Sequence, residues 1–367
     1  AQSDAAQSDA PQKQVAQPEE PRTATLAAGY EAVLLDLDGT VFAGHRPLAG
    51  ARSTLDALDL PQLFVTNNAS RRPDAVAAHL VELGFSATPE QVVTSAQTAA
   101  RLLAEHLEPG SRALVLGSDG LAQEVREVGI GVTRSANDRP SAVIQGFSPD
   151  IGWAELSEAA LAIRAGALWI ATNLDATLPS ERGQVVGNGS LVAAVANATG
   201  VQPLVAGKPA APLMVDAITR SGVTSPLVIG DRLNTDIEGA HSVGLDSALV
   251  LTGVSTAKDL LLASPQQRPT YVLDDLTGLL ADLARVRIAE QPEWTIALSG
   301  ATLTVTSTGE AQSSWVSLLP ALTYAVWQLR DGHDHAAGSP DIAAITITSD
   351  DEAVRSRLRA LGVTDLR

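Results

Sequence analysis

The 367-residue chain contains no cysteine. Disulfide bonds and thiolate metal sites are therefore excluded, and this composition is typical of a reducing compartment, so we expect a cytoplasmic protein. No apolar run approaches the ~20 residues that a membrane-spanning helix needs. The amino terminus also lacks a basic-then-apolar leader pattern, so no membrane association is expected.

Positive charge is scarce as well, because 25 lysines and arginines face 42 acidic residues and the formal net charge is −17. No stretch clusters the cations that phosphate contacts with nucleic acid require, so we expect no nucleic acid partner. The hydrophobic share of 45% is enough for large cores. The length allows two or three domains of roughly 100–200 residues each.

Apolar periodicity divides the chain into regions. Residues 1–29 repeat AQSDA and continue through Gln, Pro and Glu, which predicts a disordered tail. From residue 30 onward, short apolar runs such as AVLLDLD, QLFVTNN, ALWIATN and PLVIGD alternate with helical patterns. This alternation predicts an α/β fold with parallel sheets, in which ligands bind beyond the carboxyl ends of the strands.

The pattern changes near residue 285. The stretch EWTIALSGATLTVTS predicts a β-hairpin around Ser299 and Gly300. A helix over about 313–330, the strand IAAITITS and the helix DEAVRSRLRALG follow. Residues 285–367 are therefore predicted to form a separate, small α+β module with the order β–β–α–β–α.

Two pairs of carboxylates follow predicted strands. Asp36 and Asp38 end VLLDLDGT, and residues two apart in an extended segment point to the same side, so they repel each other unless a cation or a shared proton intervenes. An ordinary Asp-Gly turn explains this stretch equally well. Asp231 and Asp236 follow PLVI in GDRLNTD. Asp236 also suits a helix N-cap, whereas Asp231 is harder to explain in that way.

Two further stretches offer groups that bind anions. Lys208 lies in GKP, in a chain with three lysines against 22 arginines, which suggests that a compact point charge is required there. A surface turn lysine is the alternative. Thr66, Asn67 and Asn68 supply a hydroxyl, amides and main-chain N–H groups at a strand-to-helix turn, where an anion can be cradled. A simple polar turn explains these three residues equally well.

In this order, DLDGT, TNN, GKP and GDRLNTD resemble the motifs of the haloacid dehalogenase (HAD)-like phosphatases. The spacing is most similar to class IIA, whose large α/β cap is inserted between the second and third motifs. That class includes p-nitrophenyl, phosphoglycolate and glycerol-3-phosphate phosphatases. The stretch ATNLDATLPSERGQVVGNGSLVAAV is similar to the cap segment of this class. The resemblance implies a Rossmann-like core at 30–90 and 201–283 and a cap at 91–200.

The resemblance implies that Asp36 is the nucleophile, which forms an aspartyl-phosphate, and that Asp38 is the general acid and then the base. It implies Mg²⁺ as the cofactor, held by the Asp36 carboxylate, the Asp38 carbonyl and Asp231. Asp236 is expected behind these ligands rather than on the ion. The remaining predicted site residues bind phosphate or substrate: Gly39, Thr66, Asn67, Asn68 and Lys208 in the core, and Asn173 and Asp175 in the cap, where Thr172 and Arg182 are further candidates.

Asn173 and Asp175 have an alternative role, since they are equally suited to bracing the cap turn. The expected substrate is a small phosphorylated metabolite, with glycerol 3-phosphate leading because bacterial glycerol-3-phosphate phosphatases carry a similar C-terminal extension. That extension is similar to a shortened acetyltransferase-like fragment, but residues 285–367 contain no acyl-CoA pyrophosphate loop. Phosphoglycolate or a nucleotide monophosphate, transfer to an acceptor other than water, and a catalytically silent binding or regulatory protein remain alternatives. A homodimer is one option that the sequence leaves open.

Overall fold

The computed structural model describes residues 24–180, 182–309, 315–333 and 345–366. The predicted tail therefore lies outside the described residues up to residue 23. The predicted end of the tail at residue 29 needs correction, because residues 24–29 belong to the fold. Leu26 and Ala27 are buried in the core, and Thr25 forms a β-bridge with Asp282. The reason is local composition, since this segment supplies the apolar side chains that the preceding repeats lack.

The described residues form strands and helices in alternation. The strands are β1 Val33–Leu35, β2 Phe42–Ala43, β3 Arg46–Pro47, β4 Gln62–Thr66, β5 Val92–Thr94, β6 Arg112–Leu116, β7 Gly131–Thr133, β8 Ala142–Gln145, β9 Leu168–Ala171, β10 Thr177–Ser180, β11 Gly183–Val186, β12 Leu204–Val205, β13 Leu227–Gly230, β14 Ser247–Val250, β15 Tyr271–Leu273, β16 Trp294–Ser299, β17 Thr302–Ser307 and β18 Thr346–Thr348. The helices are α1 Ala51–Ala57, α2 Pro73–Glu82, α3 Ser95–His106, α4 Asp119–Glu127, α5 Trp153–Arg164, α6 Asn188–Thr199, α7 Ala211–Ser221, α8 Glu238–Ser242, α9 Ala257–Leu261, α10 Leu283–Val286, α11 Trp315–His333 and α12 Glu352–Ala360.

The core is a six-stranded parallel sheet in the order β15-β14-β13-β1-β4-β5. Successive side chains of its strands enter different hydrophobic clusters, so Val33 and Leu35 pack on one face and Leu34 on the other. Both faces are buried, which explains why these strands are continuous apolar runs. The predicted parallel α/β architecture is confirmed.

The cap is built on a second parallel sheet, in the order β12-β9-β8-β6-β7. The boundaries between core and cap lie a few residues from the expected positions. Strand β5 pairs within the core sheet, and strand β12 pairs within the cap sheet. Strands of two or three residues give too little pattern for a sequence to assign them. We therefore propose that the cap spans about residues 95–206.

The C-terminal module has the predicted order of elements. Strands β16 and β17 form an antiparallel hairpin in which Ser299 pairs with Thr302, and β18 runs parallel to β17. The expectation of a separate module needs correction, because one hydrophobic cluster joins Leu322 and Trp327 of α11 to Leu249 and Leu260 of the core. Since this cluster is continuous, the module and the core share a buried interior.

Among the described residues, none of the helices combines the length and the apolar character that crossing a membrane would require.

Candidate active site

A cavity of about 420 Å³ opens at the carboxyl ends of the central core strands, beneath the cap. Parallel strands bring their carboxyl ends to one edge, which is where open α/β sheets bind ligands. Eight of the predicted site residues line the cavity: Asp36, Asp38, Thr66, Asn67, Asn68, Asn173, Asp175 and Lys208.

Lys208 lies among the acidic groups of the site and contacts two of them. It is 2% exposed, and its Nζ donates to Asp36 Oδ1 at 2.6 Å, to Asp236 Oδ1 at 2.6 Å and to the carbonyl of Val65 at 3.0 Å. Three acceptors satisfy the three protons of an ammonium group, so the buried cation has a complete set of partners. The two carboxylates raise the pKa of Lys208 against the opposing effect of burial, so it is charged at neutral pH.

Asp231 is fully buried and is not among the residues that line the cavity. Its Oδ2 accepts from the backbone N–H of Val254 at 2.7 Å, and its carbonyl accepts from the N–H of Ser255 at 3.0 Å. Glycines make this close approach possible, since a Cβ on Gly39 or Gly253 would lie 2.6 or 2.0 Å from Oδ2. Gly39 therefore makes room beside Asp231, and it is not among the residues that line the cavity.

Oxygen atoms of Asp36, Asp231 and Asp236 all lie within 4.8 Å of one another. Asp231 Oδ1 is buried without a hydrogen-bond partner among the described residues, an arrangement that is costly unless a cation supplies the missing contact. Asp236 uses Oδ1 for Lys208 and Oδ2 for the N–H of Arg232 at 3.1 Å. The all-oxygen donor set fits Mg²⁺, with Asp36 and Asp231 free to bind it and Asp236 occupied by the protein.

Burial governs the acidic groups of the site. It raises the pKa of Asp36, with Lys208 opposing and Asp236 and Asp231 reinforcing the shift. Burial, reinforced by Asp236, likewise raises the pKa of Asp231 to about 6. Desolvation also raises the pKa of Asp38, which lies at the exposed side of the cavity with one long contact from the N–H of Gly44 at 3.5 Å. A raised pKa suits a carboxyl group that must carry a proton for part of a reaction.

Asparagines join the core to the cap. The Asn67 amide accepts from the N–H of Lys208 at 2.8 Å and donates to Asp175 Oδ1 at 3.2 Å. The Asn67 carbonyl accepts from Ser95 Oγ at 2.7 Å and from Asn173 Nδ2 at 2.7 Å. Asn173 and Asp175 thus brace the cap against the core, and both also line the cavity, so their binding of substrate stays a prediction.

The structure also separates some cap candidates from the site and adds residues that were not predicted. Thr172 is fully buried, and neither Thr172 nor Arg182 lines the cavity. Arg71, Arg232 and His79 do line it, and the charges of the two arginines oppose the desolvation that raises the pKa of Asp38. Arg232 follows Asp231 directly in GDRLNTD, so its position in the motif was the available signal.

Comparisons with known families agree with this geometry. A haloacid dehalogenase-like hydrolase family matches residues 33–131, and a HAD-hydrolase-like family matches residues 205–279. A GCN5-related N-acetyltransferase like domain matches residues 291–363.

Among curated proteins, D-glycerol 3-phosphate phosphatase of Mycobacterium tuberculosis is 49% identical over 340 residues, covering 91% of this chain and 95% of the relative. This chain belongs to the haloacid dehalogenase-like hydrolases. Acid sugar phosphatase of Staphylococcus aureus is 36% identical over 261 residues, covering 70% of this HAD-like hydrolase and 99% of the relative. The prediction of family and reaction class, a phosphoric monoester hydrolase, is confirmed.

Solved structures of other proteins have the same HAD-like fold as this chain. A glycerol phosphate phosphatase from M. tuberculosis in complex with magnesium has a TM-score of 0.85 and 48% identity, covering 93% of this chain and 100% of the other. A 4-nitrophenylphosphatase from Thermotoga maritima has a TM-score of 0.65 and 31% identity, covering 70% of this chain and 99% of the other.

Proposed function

We propose that this chain is a Mg²⁺-dependent phosphatase that hydrolyses glycerol 3-phosphate to glycerol and inorganic phosphate. The observation that carries the reaction is the position of Lys208, whose ammonium lies 2.6 Å from both Asp36 and Asp236. The unpartnered oxygen of Asp231 lies in the same acidic cluster. One ammonium thus pairs with two carboxylates, which leaves the cluster negatively charged and with oxygens free for a divalent cation.

In the proposed first step, a carboxylate oxygen of Asp36 attacks phosphorus and the ester P–O bond breaks. Asp38 donates its proton to the leaving alkoxide, so glycerol departs as a neutral alcohol. Asp36 now carries the phosphoryl group as an aspartyl-phosphate. In the second step, ionised Asp38 accepts a proton from water, the water oxygen attacks phosphorus, and the Asp36 carboxylate is released.

The protein's cations and donors bind the phosphoryl oxygens while charge shifts among them. We assign this role to the positive charge of Lys208, whose three protons stay on their protein acceptors, and to the Thr66 hydroxyl and the turn at Asn67 and Asn68 as donors; all of these residues line the cavity. Fixed donors of this kind supply most of the rate in phosphoryl transfer. When bound by Asp36, the Asp38 carbonyl and Asp231, Mg²⁺ supplies further neutralisation of the phosphate charge.

Glycerol 3-phosphate is the preferred substrate in this proposal because of the M. tuberculosis relative named D-glycerol 3-phosphate phosphatase. That relative aligns with 91% of the chain, a length that includes most of the C-terminal module. The relative named acid sugar phosphatase aligns with only 70%. Sugar phosphates are the second candidates. The reaction is proposed to be cytoplasmic, and the homodimer stays a prediction.

The decisive experiment measures phosphate release with Mg²⁺ from glycerol 3-phosphate, sugar phosphates, phosphoglycolate, nucleotide monophosphates and p-nitrophenyl phosphate. Asp36→Asn is assayed in parallel. A catalytic efficiency at least about tenfold higher for glycerol 3-phosphate, with an inactive variant, supports both substrate and nucleophile. Equal release by wild type and variant would refute the mechanism and favour a binding protein, while an equal response to all esters would refute only the substrate.

A further inference from the structure

The segment between β14 and α9 contacts both acidic motifs of the site. Thr252 Oγ1 donates to the carbonyl of Gly39 at 2.6 Å, next to Asp38. The N–H groups of Val254 and Ser255 hold Asp231, as described above. The Ser255 hydroxyl also accepts from the N–H of Leu233 at 3.1 Å. The position of Asp231 therefore depends on this segment, residues 252–256.

The segment leads directly into α9, which has five residues. A helix of that length is not stable alone, and its last carbonyls have no partner within the helix. Side chains of the C-terminal module donate to two carbonyls at and just after its end, one of which, that of Leu260, also accepts from the backbone N–H of Ala263 at 3.2 Å. Trp327 Nε1 donates to the carbonyl of Leu260 at 3.1 Å, and Arg330 Nη1 donates to the carbonyl of Ala263 at 2.9 Å.

Apolar packing and an ion pair reinforce this contact. Leu260 and Leu261 of α9 belong to the same hydrophobic cluster as Trp327 and Leu322 of α11. Arg268 stacks over the Trp327 ring at 4.9 Å, and its guanidinium forms two hydrogen bonds with Asp331, at 2.7 and 2.8 Å. Helix α9 is therefore held by both apolar and polar contacts with the C-terminal module.

We propose that the C-terminal module positions Asp231 for metal binding, and that Trp327 is the positioning residue through which it acts. This inference rests on the proposed function, because it takes Asp231 to be a Mg²⁺ ligand and explains what holds that ligand in position. The support runs from the Trp327 indole through the Leu260 carbonyl and α9 to the N–H of Val254. Although this region matches an acetyltransferase-like family, its contribution to the phosphatase site is structural support.

The chain offers a matched control in Trp294. Trp294 and Trp327 are 7% and 8% exposed, and each indole N–H makes one buried hydrogen bond of 3.1 Å. The Trp294 bond goes to Ser317 Oγ, inside the module, whereas the Trp327 bond crosses to α9. Replacing either residue by phenylalanine removes a comparable bond, but only Trp327→Phe loosens α9.

The test measures Mn²⁺ binding to the full chain by electron paramagnetic resonance of the free ion. Mn²⁺ is the probe because it prefers the same oxygen ligands. We expect Trp327→Phe to raise the Mn²⁺ dissociation constant about fivefold, as the loss of one buried hydrogen bond allows, and Trp294→Phe to leave it within about twofold. The Mg²⁺ concentration for half-maximal phosphate release should shift in parallel, with kcat retained at saturating Mg²⁺.

Arg330→Met provides a second variant in case Trp327→Phe does not fold, and it should weaken Mn²⁺ binding in the same direction. Equal effects of Trp327→Phe and Trp294→Phe would overturn the inference, because they would report only the stability of the module. Unchanged affinity in both Trp327→Phe and Arg330→Met would also overturn it. A wild-type chain that binds no Mn²⁺ would instead refute the metal site of the proposed function.

Discussion

Replacing Asp231 by asparagine is expected to stabilise the metal-free protein while abolishing phosphate release. Asp231 is fully buried beside Asp36 and Asp236, and its ionised form is disfavoured there. Its pKa is raised from 3.8 to about 6. Because each pKa unit corresponds to about 1.36 kcal/mol, keeping this group ionised at neutral pH costs the folded state about 3 kcal/mol.

Asparagine has nearly the same shape and carries no charge, so it removes this cost. The gain is smaller than the full value, because the Val254 N–H bond weakens when its acceptor loses its charge. We expect an increase of about 1–3 kcal/mol in the free energy of unfolding. The difference in the free energy of unfolding between variant and wild type should reach its largest value above pH 6 and vanish toward pH 4. The reason is that a carboxyl group whose pKa is raised in the folded state becomes neutral as the pH falls.

The assay is urea unfolding of both proteins with EDTA, at pH 7.5 and at pH 4.5, and again at pH 7.5 with Mg²⁺. Mg²⁺ should stabilise the wild type, since a ligand that binds only the folded state raises its stability, and should leave Asp231→Asn unchanged. The reasoning would be refuted if Asp231→Asn were less stable than the wild type in EDTA at pH 7.5. A gain that persists undiminished at pH 4.5 would show that ionisation is not its cause.

Three further substitutions test the site. Asp36→Asn should keep its fold by circular dichroism yet release no phosphate, because an amide cannot form the aspartyl-phosphate; residual wild-type activity would exclude this nucleophile. Lys208→Met should lower kcat at least about 100-fold and destabilise the protein by about 3–5 kcal/mol, since it leaves buried carboxylates without their cation; an unchanged melting temperature would contradict this. Gly253→Ala should raise the Mg²⁺ requirement, because a Cβ there lies 2.0 Å from Asp231 Oδ2, whereas the control Gly309→Ala points into open space and should behave as wild type.

Much of the site was predictable because each motif follows a buried strand. Parallel strands end at one edge, so Asp36, Thr66 and Asp231 had to converge once the strands before them were recognised. Lys208 was predictable from the rarity of lysine in an arginine-rich chain. The order of elements in the C-terminal module followed from clear hairpin and helix patterns.

The remaining features depend on contacts between residues that are distant in the sequence. The short strands β5 and β12 carry too few residues to show which sheet they join. The role of Val254 is played by a backbone N–H, which every residue other than proline possesses, so side-chain identity gives no signal. The docking of α11 on α9 likewise requires the tertiary structure, because apolar residues of both elements form one cluster.

Asn67 has a consequence for how this protein can change over evolutionary time. Its main-chain carbonyl accepts from Ser95 Oγ, where the chain leaves the core, and its side-chain oxygen accepts from the N–H of Lys208, where the chain returns, so one residue joins the two ends of a long insertion. Everything between those two points can be exchanged while the two ends keep their geometry, since the reacting groups Asp36 and Asp38 lie outside the exchanged part. The enzyme can therefore acquire new substrates by replacing or remodelling one contiguous stretch of gene, with its chemistry inherited intact.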